Sequence, residues 1–134
     1  MYFLTALAVL TLLASTASAA VTGVTGANCN GYVFTKAAVQ AAANEALDHL
    51  VSSSTVGDND YPHQYNNYEG FSFNSGCAPP YYEFPLFKSS LYTGGSPGAD
   101  RVVIGSRSGS SAKFCDVITH YGASGNAFLM CANT

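Results

Sequence analysis

Three charged side chains interrupt short apolar runs. Glu83 lies in Tyr81–Leu86, Arg101 opens Arg101–Ile104, and His120 closes Cys115–His120. Clusters of Gly, Ser, Pro and Asn bound these runs, which therefore read as strands. Strand alternation puts Tyr81 and Glu83 on one face and Tyr82, Phe84 and Leu86 on the other. It likewise pairs Arg101 with Val103, and Ile118 with His120. A Glu, an Arg and a His pointing inward from neighbouring strands are costly unless they act together. Such a cluster is either a structural ion-pair network or an active site.

A carboxylate, an imidazole and a guanidinium suit metal-free phosphoryl transfer. One group takes a proton from the nucleophile, another returns one to the leaving group, and a fixed cation holds the phosphoryl oxygens. RNA carries its own nucleophile in the 2′-hydroxyl, which DNA lacks. Other chemistries find less support. The three histidines, His49, His63 and His120, show no His-x-His or HExxH spacing, and the cysteines form no CxxC pair. The Gly-rich stretch Tyr92–Asp100 lacks the GK[ST] of a phosphate-binding loop. No metal and no cofactor are expected.

These side chains need a scaffold. Thr35 is a plausible N-cap, and Val39, Ala42, Ala43, Ala46, Leu47, Leu50 and Val51 follow at helical spacing. Gln40, Asn44, Glu45, Asp48 and His49 occupy the polar side, and Ser52–Ser54 with Gly57 end the helix. His49 follows Glu45 by four residues, which an exposed helical pair explains. Gln64–Tyr65, Phe71–Phe73 and Ala127–Cys131 complete the candidate strands. One amphipathic helix on an antiparallel sheet is an α+β domain.

The whole chain bounds the setting. Its 134 residues suit one domain. Tyr2–Ala14 is almost entirely apolar and uncharged, and Ala17-Ser18-Ala19 gives an A-x-A-like cleavage site. Residues 1–19 therefore read as an export signal, though without the usual Lys or Arg, and 20–134 as the mature, secreted domain. The run is shorter than the ~20 residues of a spanning helix. The net charge is −3, with only Lys36, Lys88, Arg101, Arg107 and Lys113 basic. That balance argues against a protein that coats nucleic acid or an anionic membrane through phosphate contacts, so RNA recognition has to be local and base-directed. Cys29, Cys77, Cys115 and Cys131 imply two disulfides in an exported chain, with three connectivities open. A bridge closing a loop of ~100 residues contributes roughly 4–5 kcal/mol in the chain-entropy account.

Four runs in order, YPHQYNNYEGF at 61–71, YYEFP at 81–85, YTGGSPGADRVV at 92–103 and ITHYGASGNAF at 118–128, resemble the signature segments of the secreted fungal guanyl-specific ribonucleases. With the helix and cysteines, the resemblance covers nearly all of the chain after residue 19. It implies that Glu83 is the general base for the 2′-hydroxyl, assisted by His63, and that His120 is the acid for the departing 5′-oxygen. It implies that Arg101 and Tyr61 hold the phosphoryl oxygens and that Phe128 packs against the phosphate site. The reaction so implied passes through a 2′,3′-cyclic phosphate to a 3′-phosphate, with Glu83 and His120 exchanging roles in the second step.

The same resemblance assigns guanine recognition to Tyr65, Asn66, Asn67, Tyr68, Glu69 and Asn126. Guanine presents a ring N–H beside an exocyclic amine, and the Glu69 carboxylate can accept from both; adenine has no such pair. Tyr65 and Tyr68 are placed to sandwich the base, stacking being worth roughly 1–3 kcal/mol per base. Asn66 and Asn67 offer mainly backbone groups in a loop that needs positive φ, and Asn126 its carbonyl. The cysteine placement implies Cys29–Cys131 and Cys77–Cys115, the second as in purine-preferring relatives. Tyr121 stands where the family usually has Thr, Gly105–Lys113 reads as an extended surface loop, and Asn74–Pro80 is altered. The expected partner is single-stranded RNA, not DNA or a membrane, and the expected state is a monomer. The competing readings are a purine-preferring ribonuclease and a non-catalytic effector binding RNA or a host protein. A ribotoxin would be longer and basic, and a purely structural wall protein leaves Glu83, Arg101 and His120 unexplained.

Overall fold

The computed structural model describes residues 20–134; the expected export segment, 1–19, lies outside the described residues. Nine strands and one helix follow in order: β1 (Ala20–Thr22), β2 (Ala27–Cys29), β3 (Tyr32–Phe34), α1 (Lys36–Ser52), β4 (His63–Tyr65), β5 (Tyr81–Pro85), β6 (Asp100–Ser108), β7 (Ser111–Thr119), β8 (Leu129–Met130) and β9 (Ala132–Asn133).

The helix forms where its periodicity predicts. The Thr35 hydroxyl accepts from the Ala38 N–H at 3.2 Å, and Val39, Ala42, Ala43, Ala46 and Leu47 are buried. Ser53 closes the helix at φ 53°. On the exposed side His49 Nε2 lies 3.3 Å from Glu45 Oε1, the pairing their spacing predicts.

The main sheet runs β1-β7-β6-β5-β4, with β8 on the free stretch of β7. β4 to β7 are antiparallel, as expected. β1 adds a parallel edge strand beside β7, so the sheet is mixed at that margin. One face, with Phe84, Leu86, Val102, Ile104 and Val117, packs in the core shared with α1. The opposite face carries Tyr65, Val103 and Ile118, with Tyr81 and Phe128 packed against them. The alternation read from Tyr81–Leu86 is thus the division between core and site. A small second sheet, β3-β2-β9, joins the two ends of the domain, and Cys29–Cys131 fastens it across 102 residues. Cys77–Cys115 is the other bridge.

Two expectations are corrected. Phe71–Phe73 is not a strand. The Asn67 side chain bonds both backbone groups of Phe71, accepting from its N–H at 2.8 Å and donating to its carbonyl at 3.0 Å, which takes the place of a ladder. Gly105–Lys113 is not an extended loop but the end of the β6–β7 hairpin, turning at Gly109 and Ser110 with two register shifts. Its Ser106 hydroxyl accepts from the Ala78 N–H and donates to the Gly76 carbonyl, each at 2.7 Å. The two departures from the family pattern, 74–80 and 105–113, therefore support one another, with Cys77–Cys115 across the same contact.

Candidate active site

The site starts from register. His63 on β4 stands directly opposite Glu83 on β5, and Glu83 opposite Val103 on β6. Arg101, two residues before Val103, is the diagonal neighbour of Glu83 on the same face. Glu83 and Arg101 are buried, 6% and 3% exposed, so their charges have to be met within the protein.

They meet each other. Glu83 Oε1 lies 3.1 Å from His63 Nε2 and 3.6 Å from Arg101 Nε. His63 Nδ1 lies 2.8 Å from the Asn59 carbonyl. Both partners of the imidazole are acceptors, which favours the doubly protonated ring. Its pKa is accordingly raised above 6.5, chiefly by the hydrogen bond to the Glu83 carboxylate and against the opposing effect of burial. The Tyr61 ring stacks on His63 at 4.4 Å.

Arg101 is fixed by its own loop. Nη1 donates to the carbonyls of Pro97, Gly98 and Asp100 at 3.3, 2.9 and 2.9 Å, and Nη2 to the Tyr61 hydroxyl at 3.1 Å. The Gly-rich stretch before β6 therefore cradles a guanidinium, not a phosphate. The buried Nε–H has no hydrogen-bond partner among the described residues.

His120 follows the last residue of β7. Its Nδ1 donates to the Ala127 carbonyl at 2.8 Å, which fixes the tautomer and leaves Nε2 for proton transfer. Phe128 stacks on the imidazole at 3.9 Å, and the Arg101 guanidinium lies 6.0 Å from the Phe128 ring. The structure thus brings Tyr61, His63, Glu83, Arg101, His120 and Phe128 to one end of the site face.

The 65–71 loop lies beside this cluster. The Tyr65 hydroxyl donates to Glu69 Oε2 at 3.0 Å, and burial with that bond pushes the phenol's pKa up, so it stays a donor. Asn67 adopts φ 54°, as its residue type allows, and Gly70 φ 70°; Asn66, expected to share that conformation, is not at positive φ. The Asn66 amide donates to the Tyr68 hydroxyl at 3.3 Å, and Tyr68 is 89% exposed. Tyr65 itself is buried against Phe73 and Phe128. Asn126 is exposed in the turn before Phe128. The sequence gives no sign of the backbone carbonyls of Asn59, Pro97, Gly98 and Ala127, which orient three of the site's side chains. Nor does it mark Asp116, buried on the site face opposite Val103.

The sequence model of the ribonuclease family matches residues 22–132. Among curated relatives, guanyl-specific ribonuclease Th1 of Trichoderma harzianum is 50% identical over 109 residues, 81% of this chain and 98% of that protein. Guanyl-specific ribonuclease U1 of Ustilago sphaerogena is 51% identical over 106 residues, covering 78% and 93%. Extracellular guanyl-specific ribonuclease Fl1 of Gibberella baccata is 46% identical over 106 residues, covering 79% and 95%. Among solved structures, a ribonuclease from Hericium erinaceus superposes with a TM-score of 0.52 at 33% identity, covering 80% of this chain and 98% of that one.

Proposed function

This chain belongs to the ribonuclease family that includes the fungal guanyl-specific enzymes, and from that premise we propose that it cleaves single-stranded RNA on the 3′ side of guanosine. The observation that carries the mechanism is the Glu83 carboxylate held between His63 and Arg101. A guanidinium and an imidazole flank a carboxylate placed to accept a proton, as a general base has to.

In the first step Glu83 takes the proton of the 2′-hydroxyl and the 2′-oxygen attacks phosphorus. The bond to the 5′-oxygen breaks, and His120 Nε2 supplies the proton that this oxygen needs. The product is a 2′,3′-cyclic phosphate and a free 5′-hydroxyl. In the second step water attacks the cyclic phosphate, His120 takes its proton, and Glu83 returns one to the 2′-oxygen, leaving a 3′-phosphate. Arg101 and Tyr61 hold the non-bridging oxygens, and the hydrogen bonds that fix the guanidinium keep its charge in place before substrate arrives.

Base choice rests on Glu69, oriented by the Tyr65 hydroxyl, with Tyr65 and Tyr68 stacking on the base and backbone groups of Asn66, Asn67 and Asn126 completing its edge. The need for a 2′-hydroxyl excludes DNA as substrate. The enzyme is a monomer and needs no metal. Residues 1–19 direct export, in keeping with the extracellular relative from Gibberella baccata.

The test is cleavage of GpC, ApC and UpC by the oxidised protein in EDTA. Cleavage of GpC alone, through a cyclic product, is expected. Equal cleavage of ApC moves the enzyme to the purine-preferring relatives, whose second disulfide it shares. Folded protein that cuts none of the three is a non-catalytic binder.

A further inference from the structure

We infer that Asn30 is a positioning residue for the general acid: its side-chain amide ties down the exposed loop that follows His120 and returns the carbonyl that orients it. This rests on the cleavage reading above. Asn30 Nδ2 donates to the Tyr121 carbonyl at 2.9 Å, across 91 residues of chain. The same nitrogen lies against the next residue, since a Cβ on Gly122 would stand 3.0 Å from it. The loop needs such a tie. Residues 121, 122 and 124–127 are exposed, so packing does not hold them. The Tyr121 N–H turns back to the Thr119 hydroxyl at 2.9 Å, the Ala123 N–H to the His120 carbonyl at 3.0 Å and the Ala127 N–H to the Ser124 carbonyl at 3.1 Å. Each of these bonds closes within the segment itself. Among the described residues, the Asn30 amide makes the hydrogen bond that joins residues 121–126 to the rest of the domain. β8 holds the far end of the loop through its pairing with β7. Between the two anchors the Ala127 carbonyl accepts from His120 Nδ1 at 2.8 Å. A loop fixed at both ends delivers that carbonyl to one place. A loop free at its start lets the ring turn, and Nε2 loses its aim at the 5′-oxygen, which it has to reach within hydrogen-bond distance.

The anchor is itself rigid. Asn30 and Gly31 are the two residues between the paired Cys29 and Tyr32, at φ 55° and 97°. A two-residue hairpin turn with both residues at positive φ favours Asn-Gly. The Gly31 N–H donates to Asn28 Oδ1 at 2.7 Å, and Cys29 is bridged to Cys131. The amide therefore projects from a turn fixed by sheet, side chain and disulfide. The residue type carries a second message. Gly, Asp and Asn take the left-handed conformation most readily, and of the three only Asn has a side-chain N–H to offer a carbonyl. The turn alone would accept any of them. The donor is accounted for by the Tyr121 carbonyl that it meets.

The test compares two leaving groups on the same guanosine 3′-phosphate. The cytidine of GpC leaves through an alkoxide oxygen that needs the proton of His120. The 4-nitrophenolate of guanosine 3′-(4-nitrophenyl phosphate) leaves without one. Single-turnover rates at saturating enzyme are measured for wild type, Asn30→Gly and Asn30→Asp. Both variants suit the turn: the first removes the amide, and the second keeps its shape without the N–H groups. In each, the GpC rate is expected to fall about tenfold, a part of the roughly 10²- to 10⁴-fold that a positioned acid supplies, while the nitrophenyl ester keeps its rate. Thermal melting is expected to change little, because an exposed hydrogen bond is exchanged for one to water. An equal fall on both substrates overturns the proposal, since Asn30 would then hold the fold and not the acid. An unchanged GpC rate in either variant overturns it as well. If Asn30→Gly does not fold, Asn30→Asp decides between these outcomes. Folded wild type that cuts neither substrate overturns the cleavage reading, and the role of Asn30 with it.

Discussion

Nε2 of His63 lies 3.1 Å from Oε1 of Glu83, straight across a register pair of β4 and β5, while Nδ1 of the same ring is spent on the Asn59 carbonyl. Two acceptors around one ring favour its protonated form, and the Glu83 bond is the largest reason the pKa is raised. NMR titration of the imidazole is expected to give a value above 6.5. In Glu83→Gln the raising interaction is weakened while burial remains, so the value is expected to fall. Stability follows the same sign. The pair contributes fully below pH 6.5 and fades as pH rises through the folded-state value. Urea unfolding of His63→Gln and wild type is therefore expected to differ most below pH 6.5 and to converge at alkaline pH.

The cluster of Glu83, Arg101 and His120 is legible because strand alternation is a strict geometric rule. Once Tyr82, Phe84 and Leu86 are core, Glu83 has to face the other way, and the same argument turns Arg101 away from Val102. The helix was legible from its stripe and its Thr35 cap. Less accessible was whatever depends on single backbone hydrogen bonds. Nothing in FSF at 71–73 tells that the Asn67 amide occupies Phe71, so a β-rich run became irregular. The 105–113 stretch looked like a loop because Gly and Ser dominate it, yet bulges and a Gly109 turn let it stay paired. The carbonyl cradle around Arg101 is a property of chain path, which residue types at 97–100 do not encode.

Asp116 is 3% exposed on β7, and burial pushes its carboxyl up to about 6 from 3.8. Its folded pKa lies above the unfolded one, so stability falls as pH rises from about 4 to about 6 and the penalty persists above that. Two units correspond to roughly 3 kcal/mol. Asp116→Asn is expected to unfold at higher temperature than wild type at pH 7–8, with the gap closing near pH 4. A constant gap across that range would show that the carboxyl does not titrate in this way.

Glu69 is expected to decide base choice without taking part in proton transfer. The Tyr65 hydroxyl already donates to Oε2, so the carboxylate is aligned before a base arrives. In Glu69→Ala the guanine N–H groups lose their acceptor, and a site built to hydrogen-bond one base rejects another by large factors. The ratio of kcat/KM for GpC over ApC is expected to fall by about a hundredfold, with the ApC rate held. Equal loss on both dinucleotides would remove Glu69 from base reading.

Arg101→Lys keeps a charge and should still fail. Arg101 spends Nη1 on three carbonyls and Nη2 on Tyr61, holding Nε unpartnered 3.6 Å from Glu83. A lysine has one nitrogen and no fork, so it cannot serve the carbonyl cradle and the phosphoryl site together. The carbonyls of Pro97, Gly98 and Asp100 are only partly buried, so water replaces part of what they lose, and the variant is expected to lose ~1–2 kcal/mol of stability in urea unfolding. The kinetic effect should separate from that loss. A guanidinium fixed in the resting enzyme gains most when charge builds on the phosphoryl oxygens, so its removal raises the barrier more than it weakens substrate binding. Measured on folded protein with GpC, kcat is expected to fall about 10²- to 10³-fold with KM changing far less. A rise in KM at unchanged kcat would instead make Arg101 a substrate-binding cation only.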